Sequence, residues 1–387
     1  MPSDRLGSLK FLKLSEETVA QQVAPLFSRA LSLESIYLAN HSLGRPLDLM
    51  QDDLLEGLSA WYEHPEIAWD AWLREREYFR GMVAQLTGAE RPDLIVPKTS
   101  AGEGLRTVLN TLPAGARVLS TCGEFRSIDV ILRQYEELGR ITVTRVAAGE
   151  DGNYHVGAFT RHIEQGIRLV VVSQVIFDTG QVIEGLDQLA DSCRRHGALL
   201  LVDAYHAVGA IPVDVKRQGA DFLIGGCYKY LRGGPGSGFL YISPRVLDGG
   251  WRSPDRGWFA DPEDAQSGDA LLGDTPPVLT WYQSRSGLEF TLALGVEQLR
   301  AYGMQQLGAL RGYLHAAGVG DVRGGDAGHG AFLSIRSASA DGVVAAMTAA
   351  GVVCNARGEW LRLCPDCLTT DAELRRAAQL LGEAMRR

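Results

Sequence analysis

Apolar positions along the chain gather in three short runs of leucine and β-branched residues, 118–121, 169–173 and 199–203. None alternates with polar residues, which is the pattern of a strand buried on both faces. Stretches of helical spacing, 128–138 and 186–195, lie between them, so the order predicts βαβ units around a parallel sheet. Two further apolar runs, 222–225 and 238–242, flank a glycine cluster and extend that sheet as strands joined by a loop. Leu288, Leu292, Leu294, Val296 and Leu299 recur at helical spacing across 287–304 and predict a helix linking this unit to a smaller α+β remainder. Ahead of residue 90 the pattern is mostly helical. Trp61, Trp69 and Trp72 stand there among charged residues, and packing at a domain or subunit boundary is their expected role. With no repeat, low-complexity tract or long linker, the domains are expected to pack tightly together.

Composition narrows the function. With 387 residues there is room for two cores, and a net charge of −9 offers no basic footprint for nucleic acid or an anionic membrane. No stretch approaches the roughly 18 apolar residues that span a bilayer. The expectation is a cytoplasmic protein acting on a small molecule. Six scattered cysteines argue against a disulfide scaffold. Cys364 and Cys367 have the spacing of a zinc half-site, but nothing completes four ligands, so structural thiols and no metal are expected.

The chemistry concentrates in the second half of the apolar unit. Asp203 ends a very apolar strand, at the carboxyl edge where ligands bind in α/β sheets. Lys229 follows 26 positions later between two glycine clusters, a setting in which a desolvated lysine can act as a nucleophile. Upstream, Pro97 to Gly104 leaves an apolar strand and leads into a helix predicted over 105–112, whose start would offer backbone N–H groups to a phosphate. A lysine for an aldehyde, a carboxylate for a pyridine nitrogen and donors for a phosphate are what pyridoxal 5'-phosphate (PLP) requires. Each feature alone has an ordinary reading, as a helix cap, an exposed hairpin lysine or a small-residue turn.

The run Asp203-Ala-Tyr-His-Ala-Val-Gly209, followed by Cys227-Tyr-Lys-Tyr-Leu231 and Gly233-Gly-Pro-Gly236, resembles the class V aminotransferase group and, within it, the kynureninases. Fainter similarities lie at 36–44, 257–259 and 361–365. The resemblance implies an α/β fold of PLP fold type I, with a mixed, mostly parallel sheet in the large domain and a smaller α+β domain. It divides the chain into an N-terminal arm, 1–45, contributing to the small domain, a PLP-binding domain, 46–286, and a small domain, 287–387. It implies Lys229 as the Schiff-base lysine, Asp203 on the pyridine nitrogen and His206 beside the cofactor. Tyr228, Ser100, Ala101 and Gly102 would hold the phosphate, Phe125 would stack on the ring, and Trp258 would be donated across a homodimer. Arg362 would pair with the α-carboxylate of an amino-acid substrate, with His41 and Ser42 on the substrate side.

The chain departs from the kynureninase pattern where substrate and cofactor are tuned. Arg126-Ser127-Ile128 stands in place of Pro-Ser-Asp, and Val175-Ile-Phe-Asp-Thr-Gly180 lacks the usual asparagine. The N-terminal motif reads Asn40-His41-Ser42-Leu43-Gly44, and no substrate-facing asparagine can be placed near 283–286. The leading expectation is therefore kynureninase-like hydrolytic cleavage between Cβ and Cγ, or related lyase chemistry, diverged in substrate. The alternatives are an aminotransferase or carbon–sulfur lyase, and a PLP-binding protein without catalysis. A cysteine desulfurase needs a reactive cysteine on a mobile loop, whereas Cys354, Cys364 and Cys367 lie near predicted strands.

Overall fold

Strand β6, Leu199–Asp203, lies buried along its whole length at the middle of a seven-stranded sheet. The computed structural model describes residues 5–163, 166–249, 251, 253–255, 257–260 and 268–386, with the backbone alone of Trp258. On one side of β6 stand β5, Leu169–Ser173, β3, Ala116–Thr121, and β4, Ile141–Val146, all parallel. On the other side β7, Phe222–Gly226, is parallel to it, while β8, Gly238–Ile242, turns back antiparallel and pairs with β2, Ile95–Lys98, at the edge. The expected mixed, mostly parallel sheet is thus present. The apolar runs become its central strands because helices cover both faces and leave no water to reward alternation. Register then sets Ser173 directly beside Asp203 at the carboxyl edge.

The helices follow the pattern with shifted ends. Those expected over 128–138 and 186–195 span Arg126–Glu137 and Leu186–Arg195. The one expected to begin at 105 starts at Ala101 instead, because Ser100 caps it by accepting a hydrogen bond from the Glu103 N–H at 3.2 Å. The single helix expected over 287–304 is two, Leu279–Leu294 and Val296–Ala316. Gly295 separates them at φ 80°, a conformation that ends a helix and that side chains with a Cβ disfavour. Strand β4 and the helix Val156–Ile163 complete a βαβ crossover that the apolar pattern did not announce.

A second core gathers Leu38 with residues from 307 to 381, around a four-stranded antiparallel sheet. Three of its strands bear on the site: Leu333–Arg336, Asn355–Arg357 and Trp360–Leu363. The N-terminal segment crosses between cores. Leu6, Val23, Phe27 and Leu47 pack on Phe290, Leu294 and Cys367, and the first strand, β1, Ile36–Tyr37, pairs in parallel with Val352–Val353. Trp72 packs against both Trp61 and Trp69, and Trp69 meets Phe259, with none of the three lining the main cavity. All six cysteines are free thiols, Cys364 donating to the Ala331 carbonyl at 2.9 Å and Cys367 lying 3.5 Å from the Arg232 guanidinium.

Candidate active site

The carboxyl ends of β5 and β6 and the loop after β7 open on a cavity of about 950 Å³. That loop carries Lys229, which is only 5% exposed, not the exposed hairpin lysine that its glycine neighbours could equally have produced. Its Nζ lies 2.6 Å from His206 Nε2, and His206 Nδ1 lies 3.4 Å from the Tyr230 hydroxyl. Burial first, then Lys229 and Arg362, keep the imidazole well below its ordinary pKa. A neutral ring with its proton on Nδ1 leaves Nε2 as the acceptor for the lysine. Burial likewise lowers the Lys229 amine, Asp203 opposing and Arg362 and Arg357 adding to the effect. Asp203 is raised by the same desolvation, with the Tyr205 N–H at 2.9 Å and Lys229 holding it back.

Around this pair the wall is aromatic. The Lys229 Nζ stands 5.6 Å from the ring centre of Phe125, 5.2 Å from that of Tyr205 and 5.9 Å from that of Tyr228. Tyr205 is accommodated because residue 226 is glycine, where a Cβ would stand 1.9 Å from the Tyr205 ring. Ser100, Ala101 and Gly102 line the cavity at the start of their helix, so its first N–H groups and positive dipole end face the same space as Lys229 and Asp203.

Structure thus brings Lys229, Asp203, His206, Tyr228, Phe125, Ser100, Ala101 and Gly102 to one cavity. It does not bring Arg362, His41 or Ser42 to the lining. Arg362 is buried behind Phe177, giving Nη1 to the Phe177 carbonyl at 2.7 Å and Nε to Asn355 Oδ1 at 3.2 Å. His41 packs in the same layer, 2.8 Å from that Asn355 oxygen, and Ser42 turns away at a bend closed by its N–H to the Ala39 carbonyl. Of the arginines that do line the cavity, Arg106, Arg126 and Arg357, the last stands beside the turn that also presents Glu359 and Trp360. The side chain of Trp258 lies outside the described residues. Two acids that sequence reasoning passed over are Asp178, at the cavity wall, and Glu124, buried beside Phe125. The only sequence signal for Glu124 is an acid three positions past an apolar strand and directly before the aromatic.

The cofactor fits this chain on its own residues: a buried amine, a buried carboxyl and the start of a helix at Ser100–Gly102 face one space within the size range of ligand pockets. Fold and site together define a PLP-dependent enzyme of fold type I. The family model "Aminotransferase class-V" matches residues 70–334, and the chain belongs to that family. An uncharacterised aminotransferase, YcbU of Bacillus subtilis, is 28% identical over 322 residues, covering 80% of this chain and 84% of its own. The kynureninase of Pseudomonas fluorescens is 28% identical over 303 residues, 72% of this chain and 70% of its own. Among solved structures, a cysteine desulfurase from Thermococcus onnurineus superposes with a TM-score of 0.80 at 18% identity, over 97% of this chain and 99% of that one. A C-DES mutant with glycine covalently linked to its PLP cofactor gives 0.82 at 19% identity, over 93% and 98%. Among the described residues no helix is long and apolar enough to cross a membrane.

Proposed function

We propose that this enzyme cleaves the bond beyond the β-carbon of an amino-acid substrate, by kynureninase-like hydrolysis or related lyase chemistry. The observation that carries the reading is the 2.6 Å contact of Lys229 with a neutral His206, inside a cavity that Asp203 also lines. PLP, when bound, withdraws electrons from the substrate α-carbon and so makes its proton acidic. Lys229 would hold the cofactor and, once released by the substrate amine, would take that proton on Nζ. Burial keeps the amine in its basic, unprotonated form at a lower pH than a surface lysine would allow.

His206, accepting at Nε2, would keep the lysine aimed between these duties, and Asp203 would supply the carboxylate for the pyridine nitrogen. Phe125 would cover the ring, while the helix start at Ser100–Gly102 and the Tyr228 hydroxyl would take the phosphate. Arg362 is proposed for the substrate α-carboxylate, with His41 supporting its layer through Asn355 and Arg357 at the cavity face. Ile176 in the place of an asparagine and Ile128 in that of an acid favour a substrate other than kynurenine. Exposed Trp61, Tyr62 and Ile67 favour a homodimer.

The test is the visible absorption of purified protein with PLP, wild type beside K229A, followed by product analysis with L-kynurenine and a panel of other amino acids. A Lys229-dependent band and release of alanine support the reading. A keto acid released with ammonia would mark a β-eliminating lyase, a keto acid without ammonia would make it an aminotransferase, and no band in either protein would remove the cofactor assignment.

A further inference from the structure

Glu124 is a carboxyl without a cation. It is 4% exposed, and among the described residues it forms no ion pair. Instead it is held by hydroxyl and amide groups at the carboxyl edge of the sheet. Its Oε1 accepts from Thr121 Oγ1 at 2.8 Å and from the Ser173 N–H at 3.2 Å, and its Oε2 shares a 2.5 Å hydrogen bond with Ser173 Oγ. Thr121 in turn accepts from the Gly123 N–H at 3.0 Å, so the turn that leads to Phe125 is tied at both ends. Ser173 is the cross-strand neighbour of Asp203. Glu124 therefore joins the residue that covers the cofactor ring to the strand edge beside the residue that meets its nitrogen.

We propose that Glu124 is a positioning residue for the cofactor: its carboxyl clamps the Phe125 turn onto Ser173 and so sets where Phe125 stands over the cofactor ring. The proposal rests on the PLP reading above. The carboxyl meets three donors, the Thr121 hydroxyl and the N–H and hydroxyl of Ser173, and both of its oxygens are used to hold them across the sheet edge. The ionised carboxyl accepts all three, and the neutral acid donates to Ser173 Oγ instead, so either form keeps turn and strand tied. Burial first, with Asp203 adding and the hydrogen bonds opposing, raises the carboxyl to about 7.

Titration of cofactor-free enzyme with PLP, followed by absorbance, tests this in wild type, E124Q, E124A and F125A. A glutamine keeps one oxygen for the Thr121 hydroxyl and the Ser173 N–H and can donate its amide N–H to Ser173 Oγ. The expected result is that E124A binds PLP several-fold more weakly, as F125A does, and that E124Q restores most of that loss. E124Q as impaired as E124A would overturn the clamp. Wild-type binding in E124A would overturn the positioning role itself. If K229A retained the wild-type PLP band, the cofactor reading would fail instead, and that result is distinguishable from either.

Discussion

The Nζ of Lys229 and Nε2 of His206 stand 2.6 Å apart, both buried, with Tyr230 on the far side of the imidazole. Because His206 is held neutral, the contact orients the lysine without adding a positive charge to the site. H206A is therefore expected to keep the Lys229-dependent PLP band and to lose roughly 10²-fold or more in turnover, the range of a misaligned proton-transfer group. K229A loses the band altogether. Absorbance and single-turnover rates on the two variants separate the roles, and an unchanged rate in H206A would remove His206 from the mechanism.

The backbone around Lys229 is pressed from the N-terminal segment. A Cβ on Gly44 would stand 2.0 Å from the Lys229 carbonyl oxygen, and the Gly44 N–H donates to the Tyr228 carbonyl at 2.8 Å. G44A must push this loop and the lysine segment apart, since the obstacle is main chain and not a movable side-chain tip. The expected cost is about 1–3 kcal/mol in denaturant unfolding, together with weaker PLP binding. Stability lost with cofactor affinity intact would show that the loop absorbs the shift without moving Lys229.

Arg232 and Asp366 form a buried ion pair, Nη2 to Oδ1 at 3.0 Å, although Arg232 sits at φ 57°, where a residue with a side chain is strained. Burial alone would raise the Asp366 carboxyl, but Arg232 and Arg45 outweigh it and hold it at about 2. A carboxyl lowered on folding binds fewer protons in the native state than in the unfolded chain. Its contribution is therefore complete above the unfolded value near 3.8 and falls away as pH drops toward about 2. D366N is expected to destabilise by about 3–5 kcal/mol at neutral pH, because Arg232 keeps its charge without its partner. Unfolding curves at pH 7 and pH 3 measure this, and the gap between wild type and D366N should narrow at the lower pH.

Arg357 and Arg362 occupy adjacent strands but different layers. Arg357 is exposed and lines the cavity, while Arg362 is 3% exposed and spends two of its donors on Phe177 and Asn355. R357A is expected to leave the melting temperature within a degree or two and to weaken amino-acid binding. R362A should weaken binding and also lower stability by about 1–3 kcal/mol through the unpaired Phe177 carbonyl. Substrate-induced spectral titrations beside thermal melts check both. Loss of stability without loss of binding in R362A would make it a strut alone.

Much of this was legible in the chain. The strands at 169–173 and 199–203 and the helix at 186–195 were readable to the residue, because a fully buried strand and an amphipathic helix leave unmistakable local patterns. Lys229 and Asp203 could be paired because their residue types and glycine setting suit one chemistry. Strand β4 was missed since its middle residues are half-exposed and break the apolar run, and Gly295 was not read as a break because a helical apolar pattern continues across it.

By itself, then, the sequence determined the α/β class, the βαβ order and the lysine–carboxylate pair, all of which depend on neighbours close along the chain or on residue chemistry. Only the tertiary structure decided that Glu124 reaches Ser173 across 49 positions, that Arg362 lies behind Phe177 while Arg357 faces the cavity, and that Gly44 abuts Lys229. Those relationships arise from strand register and from the docking of one core on another. Burial and hydrogen-bond partners are set there by residues distant in sequence, and no local pattern of polar and apolar positions records them.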